Sequence, residues 1–169
     1  MRKYLLVLIA FSFLVGASCQ QKIDNEKERI VMANNYVKAW NEGDLSLLDK
    51  VLSPECVRHH VGISEDIIGI EAIKEYVTYM RTGFPDLNVT LDELIIKGDN
   101  MVGRWTVTGT NTGPFGELPP TGNKVKFSGV EVSHVVDGKV VEQWVYYNQA
   151  VIFTQIGFTI TPPETQKEQ

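Results

Sequence analysis

A carboxylate set in an apolar-rich segment is a candidate for acid–base chemistry, and Glu131, within V-K-F-S-G-V-E-V-S-H-V-V (125–136), is such a group. Arg104, within M-V-G-R-W-T-V-T-G-T (101–110), is a second charge in a similar setting. A carboxylate can take a proton from a carbon next to a carbonyl, and a guanidinium can orient that carboxylate or hold the resulting oxyanion. An adjacent arginine favours the ionised carboxylate and burial favours the neutral acid, so the basicity of Glu131 stays open. The competing arrangement puts Glu131 and Arg104 on the solvent face of a sheet as a cross-strand pair. The rarity of fully buried charges favours that arrangement. His59 and His60 are adjacent, so on a strand they face opposite ways and one alone can enter a pocket. Partners at metal-ligand spacing are not evident, which argues against a metal site. Trp105 and Trp144 suit either a core or an apolar pocket wall, whereas Trp40 continues a helical core stripe. Asn148 can hydrogen-bond a ligand but exchanges no proton at neutral pH.

The elements that must position these groups follow from periodicity. Ile30, Ala33, Val37 and Trp40 mark one face of a first helix, with Gly43 as its stop. Asp44 caps a second helix through Leu45, Leu48 and Leu52, ended by Pro54, and C-V-R-H-H-V (56–61) makes a short strand. A third helix covers Ile70 to Met80, with Ile70, Ile73, Val77 and Met80 inward and Gly83 after it. Strands follow around Val89–Ile95 and over Met101–Thr110, then a loop (112–122) whose prolines and glycines fix its shape and carry no acid–base group. Val125–Val136 and Lys139–Asn148 form a hairpin at Asp137-Gly138. Helices followed by an antiparallel meander define an α+β domain with helices on one face of a curved sheet.

The hairpin filters the candidates. His134 and Asn148 fall about 23 Å apart at a 3.3 Å rise per residue, too far to act together. Glu131 faces the stretch Gln143 to Val145: a two-residue loop pairs it with Trp144, and a three-residue loop with a bulge pairs it with Gln143. Folding back the long loop brings Arg104 opposite residue 130, within a residue or two.

The 169 residues carry a net charge of −5. Arg2 and Lys3 precede an apolar run, Leu5 to Val15, broken only by Ser12; then come Gly16, Ala17, Ser18 and Cys19. This is signal-peptide architecture over residues 1–18, too short to span a bilayer. Removing it takes two of the 16 basic residues and leaves net −7, a balance that excludes nucleic-acid partners. A cysteine directly after the small residues resembles a bacterial lipoprotein signal, although Gly16 departs from the usual Leu or Val. Lipidation of Cys19 would tether residues 19–29 to the cell envelope, with the lipid as the only membrane contact; ordinary secretion is the other reading. Cys56 is then a lone thiol, expected as a small buried residue. The domain is expected over 30–158 and a disordered tail over 159–169.

Asn41-Glu42-Gly43-Asp44, Phe84-Pro85-Asp86, T-G-P-F-G-E-L-P-P-T-G (112–122), Asp137-Gly138-Lys139, Glu142-Gln143-Trp144 and Gln155-Ile156-Gly157 occur in an order and spacing that resembles the SnoaL-like polyketide cyclase family, many of whose members are labelled ester cyclases. The resemblance covers about 27–158. It implies an NTF2-like cone around a pocket, often dimeric, and intramolecular aldol chemistry by an Asp without metal or cofactor. It also favours a pocket-lining role for one of His59 and His60. The family's Asp follows the closing-strand tryptophan directly or four residues on, and here those positions are Val145 and Asn148. Three functions therefore compete. One is an acid–base cyclase or isomerase using Glu131 or a histidine on a small apolar or carbonyl compound. Another is a ligand-binding module using His59, His60, Arg104, Trp105, Trp144 and Asn148. The third is a homodimer whose cone is filled by its own side chains.

Overall fold

The computed structural model describes residues 25–61 and 65–161. The expected signal segment, Cys19 and residues 162–169 of the expected tail lie outside them.

Helix α1 (residues 25–42) is already formed at residue 25, so residues 25–29 belong to it rather than to a tether. Its inward face carries Arg29, Met32, Tyr36 and Trp40, with Ala33 and Val37 of the expected stripe beside them. Ile30 consequently lies outside the core, 43% exposed. Buried Arg29 reaches Asp99 in the turn between two strands, at 3.6 Å. Gly43 stops the helix at φ 72°, its N–H donating to the Ala39 carbonyl at 3.0 Å, a conformation that glycine adopts at least cost.

Asp44 Oδ1 accepts hydrogen bonds from Ser46 N and Oγ at the start of α2 (Ser46–Val51). That helix ends before Leu52, and Leu52 opens strand β1 (Leu52–His60). Pro54 therefore lies inside a strand, where pairing with β6 (Lys139–Tyr147) is irregular between Leu52 and Val57, so its missing N–H leaves no gap in a regular ladder. The short β2 (Ile67–Ile68) pairs antiparallel with β1. Helix α3 (Ile70–Gly83) buries Ile70, Ile73, Val77 and Met80 at the three- and four-residue spacing read from the sequence. Strands β3 (Asn88–Lys97), β4 (Asn100–Thr110) and β5 (Lys124–Val136) complete one curved six-stranded sheet in the order β2-β1-β6-β5-β4-β3. Every pairing is antiparallel except β1 with β6. The helices cover the concave face, so the architecture is the expected α+β one. A last helix, α4 (Gln149–Gln155), was not anticipated; Asn148 caps it by accepting from Ala150 N at 3.1 Å. Among the described residues no helix is long and apolar enough to cross a membrane.

Two local features decide which side chains face inward. Asp137 (φ 49°) and Gly138 (φ 73°) make a two-residue turn, pairing Val136 with Lys139 and Val135 with Val140. Val141 is then an extra residue, because His134 pairs with Glu142. This bulge shifts the register by one, so Glu131 faces Val145 rather than Trp144 or Gln143. Since side chains alternate faces, the shift turns Gln143, Val145 and Tyr147 inward and Trp144 outward. Close packing constrains the same inward face of β5. A Cβ on Gly129 would overlap the Trp105 indole and the Tyr146 carbonyl, so that position requires glycine.

The family motifs have structural work in this frame. Asn41 pairs with Val89 through both its amide oxygen and nitrogen, at 2.6 and 3.0 Å, docking α1 on β3. Arg81 donates to the Trp40 and Asn41 carbonyls at the end of α1. Asp86 accepts from Thr110 N and Oγ1, and buried Asn111 bonds Gly83, Gly113 and Thr121 to hold the long loop closed.

Candidate functional site

Alternation on β1 puts Cys56, Arg58 and His60 on the concave face, all buried. The parallel register sets Arg58 beside Gln143, which in turn pairs with Ser133 across β5. Glu131 is two residues along β5 on the same face. Helix α1 supplies Tyr36 and Trp40 from above. Together these residues form a buried polar cluster at the edge of an otherwise apolar cavity of about 100 Å³.

The cluster is closely hydrogen-bonded. Arg58 Nη1 donates to Glu131 Oε2 at 2.8 Å, to the Tyr36 hydroxyl at 2.6 Å and to Gln143 Oε1 at 3.1 Å. Gln143 Nε2 and Ser133 Oγ donate to Glu131 Oε1 at 2.8 and 3.2 Å. The Tyr36 hydroxyl donates to Gln143 Oε1 at 3.3 Å. The Arg58 guanidinium lies over Trp40, 5.8 Å from the ring centre. Burial opposes the charge on Arg58, but Tyr36 and Glu131 outweigh it and hold the guanidinium above its ordinary value. Burial pushes the Tyr36 hydroxyl up to about 12, so it keeps its proton at neutral pH and remains a donor. The Glu131 side chain is 12% exposed and lines the cavity.

Apolar and aromatic side chains make the remaining wall. Trp105, Phe127 and Tyr147 form a three-way contact with ring centres 5.6–6.0 Å apart. Buried Val145, where the family's Asp would directly follow the tryptophan, lines the same cavity opposite Glu131. Cys56 is fully buried and its thiol is pushed up to about 12 by burial, so it remains protonated.

The other residues selected from sequence are dispersed. Arg104 does lie opposite residue 130, but Gly103 is the residue that pairs with Glu131. That one-residue difference points Arg104 to the outer face, where it is 53% exposed and paired with Asp92 and Glu93 at 3.2 and 3.3 Å. An Arg104–Glu131 pair is therefore not formed on either face, and Arg58 takes that role. Trp105 lines the cavity, whereas Trp144 is turned outward by the bulge and stacks on His59 at 5.4 Å. His59 bridges Asp66 and Glu142, both at 2.9 Å. Asn148 caps α4 and does not line the cavity. His60 faces inward: its Nε2 accepts from Arg58 Nε at 2.9 Å, which leaves the proton on Nδ1, and that buried atom has no partner among the described residues. Tyr76 and Tyr147 present their rings edge-on to it. Among the described residues no group of three His, Cys, Asp or Glu is placed to hold a metal.

Sequence reasoning missed Arg58, Tyr36, Gln143 and Ser133. The usable signal for Arg58 was its alternation with Cys56 and His60. Gln143 becomes readable only with the bulge.

A curved α+β cone with a pocket under its helices is the class that this architecture defines. The family model for SnoaL-like polyketide cyclases matches residues 30–156, and the chain belongs to that family. Among solved structures it is similar to AclR, a candidate hydroxylase from Streptomyces galilaeus, at 30% identity and TM-score 0.69, covering 81% of this chain and 86% of that one. It is also similar to IdmH, a candidate polyketide cyclase from Streptomyces antibioticus, at 27% identity and TM-score 0.64, covering 75% and 96%. A Catenulispora acidiphila protein of ketosteroid isomerase-like fold, 14% identical with TM-score 0.65 over 78% and 97% of the two chains, shares the fold. No curated protein sequence matches the chain.

Two predictions follow from the geometry. Arg58→Ala leaves Glu131 buried and unpaired and should cost about 3–5 kcal/mol in denaturant unfolding, whereas Arg58→Met with Glu131→Leu should recover most of it. Equal loss in single and double variants would contradict this account of the pair. The adjacent histidines should titrate in opposite directions from the ordinary 6.5. Hydrogen bonds to Glu142 and Asp66 raise His59, so its stabilisation is complete below 6.5 and fades as pH rises through its folded value. Burial, then Arg58, lowers His60 to about 4, so stability is lost as pH falls from 6.5 towards 4. Imidazole NMR titration checks both, and a His60 midpoint near 6.5 would exclude the buried neutral ring.

Proposed function

We propose that the protein is a cofactor-independent acid–base enzyme that abstracts a proton next to the carbonyl of a small, mostly apolar compound, leading to isomerisation or ring closure. The observation that carries this reading is the Glu131 carboxylate facing an apolar cavity while held by Arg58. Family membership supports a cyclase or isomerase role. Neither position implied for the family's Asp, Val145 or Asn148, holds a carboxylate, and Glu131 faces the first of them across the strand pair, so Glu131 is assigned as the proton acceptor. Gln143 and Ser133 fix its orientation. Tyr36, which keeps its proton, is assigned to the developing oxyanion, exchanging its long bond to Gln143 for one to the ligand oxygen. Arg58 supplies positive charge in the same place.

A binding module without turnover is the second reading, favoured by one feature: Arg58, Gln143 and Ser133 already donate to both oxygens of the Glu131 carboxylate, so the group is engaged within the protein. Exchange of the α-protons of cyclohexanone with deuterium oxide, followed by proton NMR, separates the two. The enzyme reading expects catalysed exchange that drops at least about a hundredfold in Glu131→Gln, with Tyr36→Phe impaired and folded as a second variant. Saturable binding with no exchange above buffer would leave the binding module.

We further propose that the protein is held on a bacterial envelope by lipid on Cys19, a reading supported by the charged start, apolar run and small residues before that cysteine. Palmitate labelling in a bacterial host should mark the wild type and not Cys19→Ala; an unlabelled wild type would leave ordinary secretion.

A further inference from the structure

Gly103 has no backbone reason to be glycine. It lies mid-strand in β4, outside the set of positive-φ glycines, and glycine at such a place weakens a strand. Packing does not demand it either: a Cβ there would meet only the Leu91 Cδ1 methyl, at 3.2 Å, the far end of a flexible side chain. Gly129, where a Cβ would strike an indole and a backbone carbonyl, is the contrasting case in the same sheet. What Gly103 does face is the cavity, and its direct partner on β5 is Glu131. The missing side chain therefore leaves a notch beside the carboxylate, bounded by Leu91 on β3 and Trp105 on β4.

The dimensions of the cavity limit what can occupy that notch. At about 100 Å³ it lies well below the roughly 300–1,000 Å³ of sites for drug-sized ligands. An apolar cavity of about 150 Å³ accepts benzene. One small ring, or a chain of similar size, thus fills the cavity, and further rings would have to lie outside it or displace wall residues. The aromatic triangle of Trp105, Phe127 and Tyr147 favours an apolar body, and the Tyr36–Arg58–Glu131 cluster provides hydrogen-bonding groups for one polar end.

We propose that Gly103 is a specificity-determining position, and that the ligand is a one-ring or equally small carbonyl compound whose edge enters the Gly103 notch beside Glu131, not a multi-ring one. This rests on the acid–base reading above for the carbonyl, and on the notch and cavity for the size.

Quenching of tryptophan fluorescence, with Trp40 and Trp105 in the wall, reads occupancy in the full chain. Cyclohexanone, 2-tetralone and anthrone supply one, two and three rings. Saturable binding is expected for cyclohexanone and none for anthrone over the same concentrations. Gly103→Ala should weaken cyclohexanone at least tenfold, and Leu91→Ala added to it should restore binding by removing the methyl that the new Cβ meets. Should Gly103→Ala fail to fold, Leu91→Ala alone carries the test, because widening the notch should admit 2-tetralone. Absence of saturable cyclohexanone binding would overturn the proposal. So would anthrone binding as tightly as cyclohexanone, unchanged affinity in folded Gly103→Ala, or an unaltered ring preference in Leu91→Ala. The two readings fail separately. Cyclohexanone binding without Glu131-dependent proton exchange removes the acid–base reading and keeps the size class. Exchange on 2-tetralone or anthrone, but not on cyclohexanone, does the reverse.

Discussion

Burial of the Arg58 guanidinium against the Glu131 carboxylate constrains everything around it. Removing both ions from water costs several kcal/mol each, and the attraction between them offsets this only if their remaining donors and acceptors are satisfied. Those partners come from separate parts of the chain: Tyr36 on α1, His60 on β1, Gln143 on β6 and Ser133 on β5. The pair therefore ties together the rotation of α1, the parallel placement of β1 beside β6 and the register of the β5–β6 hairpin. A slip in any of them leaves a buried charge or amide unpaired. Trp40 adds to the constraint by packing its ring against the guanidinium.

The extra residue at Val141 shows how narrow the tolerance is. A regular two-residue hairpin would place Trp144 opposite Glu131 and turn an indole towards the carboxylate. The bulge exchanges the faces, so that the amide of Gln143 reaches both Arg58 and Glu131 while Trp144 moves out to stack on His59. One inserted residue thus sets both the polar cluster inside and the His59–Trp144 contact outside. Alternation along β1, in turn, gives the two adjacent histidines opposite electrostatics. His59 bridges two carboxylates near solvent, and His60 lies among tyrosine rings with Arg58 as its hydrogen-bond donor.

Most of the fold was legible because its determinants are local. Gly43, Asp44, Asp137 and Gly138 impose turns and caps through their own backbone or the next residue or two, and α3 shows its buried face by spacing alone. The motifs that mark the family, Asn41 and Asp86 among them, serve as latches between elements, so they report architecture and not chemistry. The cluster was less legible because it depends on contacts between residues far apart in sequence. Arg58 meets Gln143 through 85 residues of intervening separation, and only in a parallel pairing that no hairpin rule predicts. Arg104 looked equivalent to it, a lone arginine in an apolar strand near Glu131 in register, yet parity decides its face and a single residue decides parity. Asn148 differs from expectation for another reason: its amide caps α4, a short helix that the sequence does not announce, and so is not free for a ligand.

The same groups that would act on a ligand also hold the domain together, and this limits how the site can vary. In a cone whose polar cluster stood apart from the core, an acid–base residue could change without structural effect. Here Glu131 neutralises a buried arginine, so replacing it alters charge balance along three strands. Variation in ligand preference therefore has its freest route through the walls that carry no charge. On β4 and β3 those are Gly103, Leu91 and Trp105, which border the cavity without entering the hydrogen-bonded network. In this cone a carboxylate on one strand needs a facing position on the neighbouring strand that carries no second one, since two carboxylates there would repel one another. Val145 opposite Glu131 satisfies that condition: the facing position is apolar, so the carboxylate meets no like charge across the strand pair.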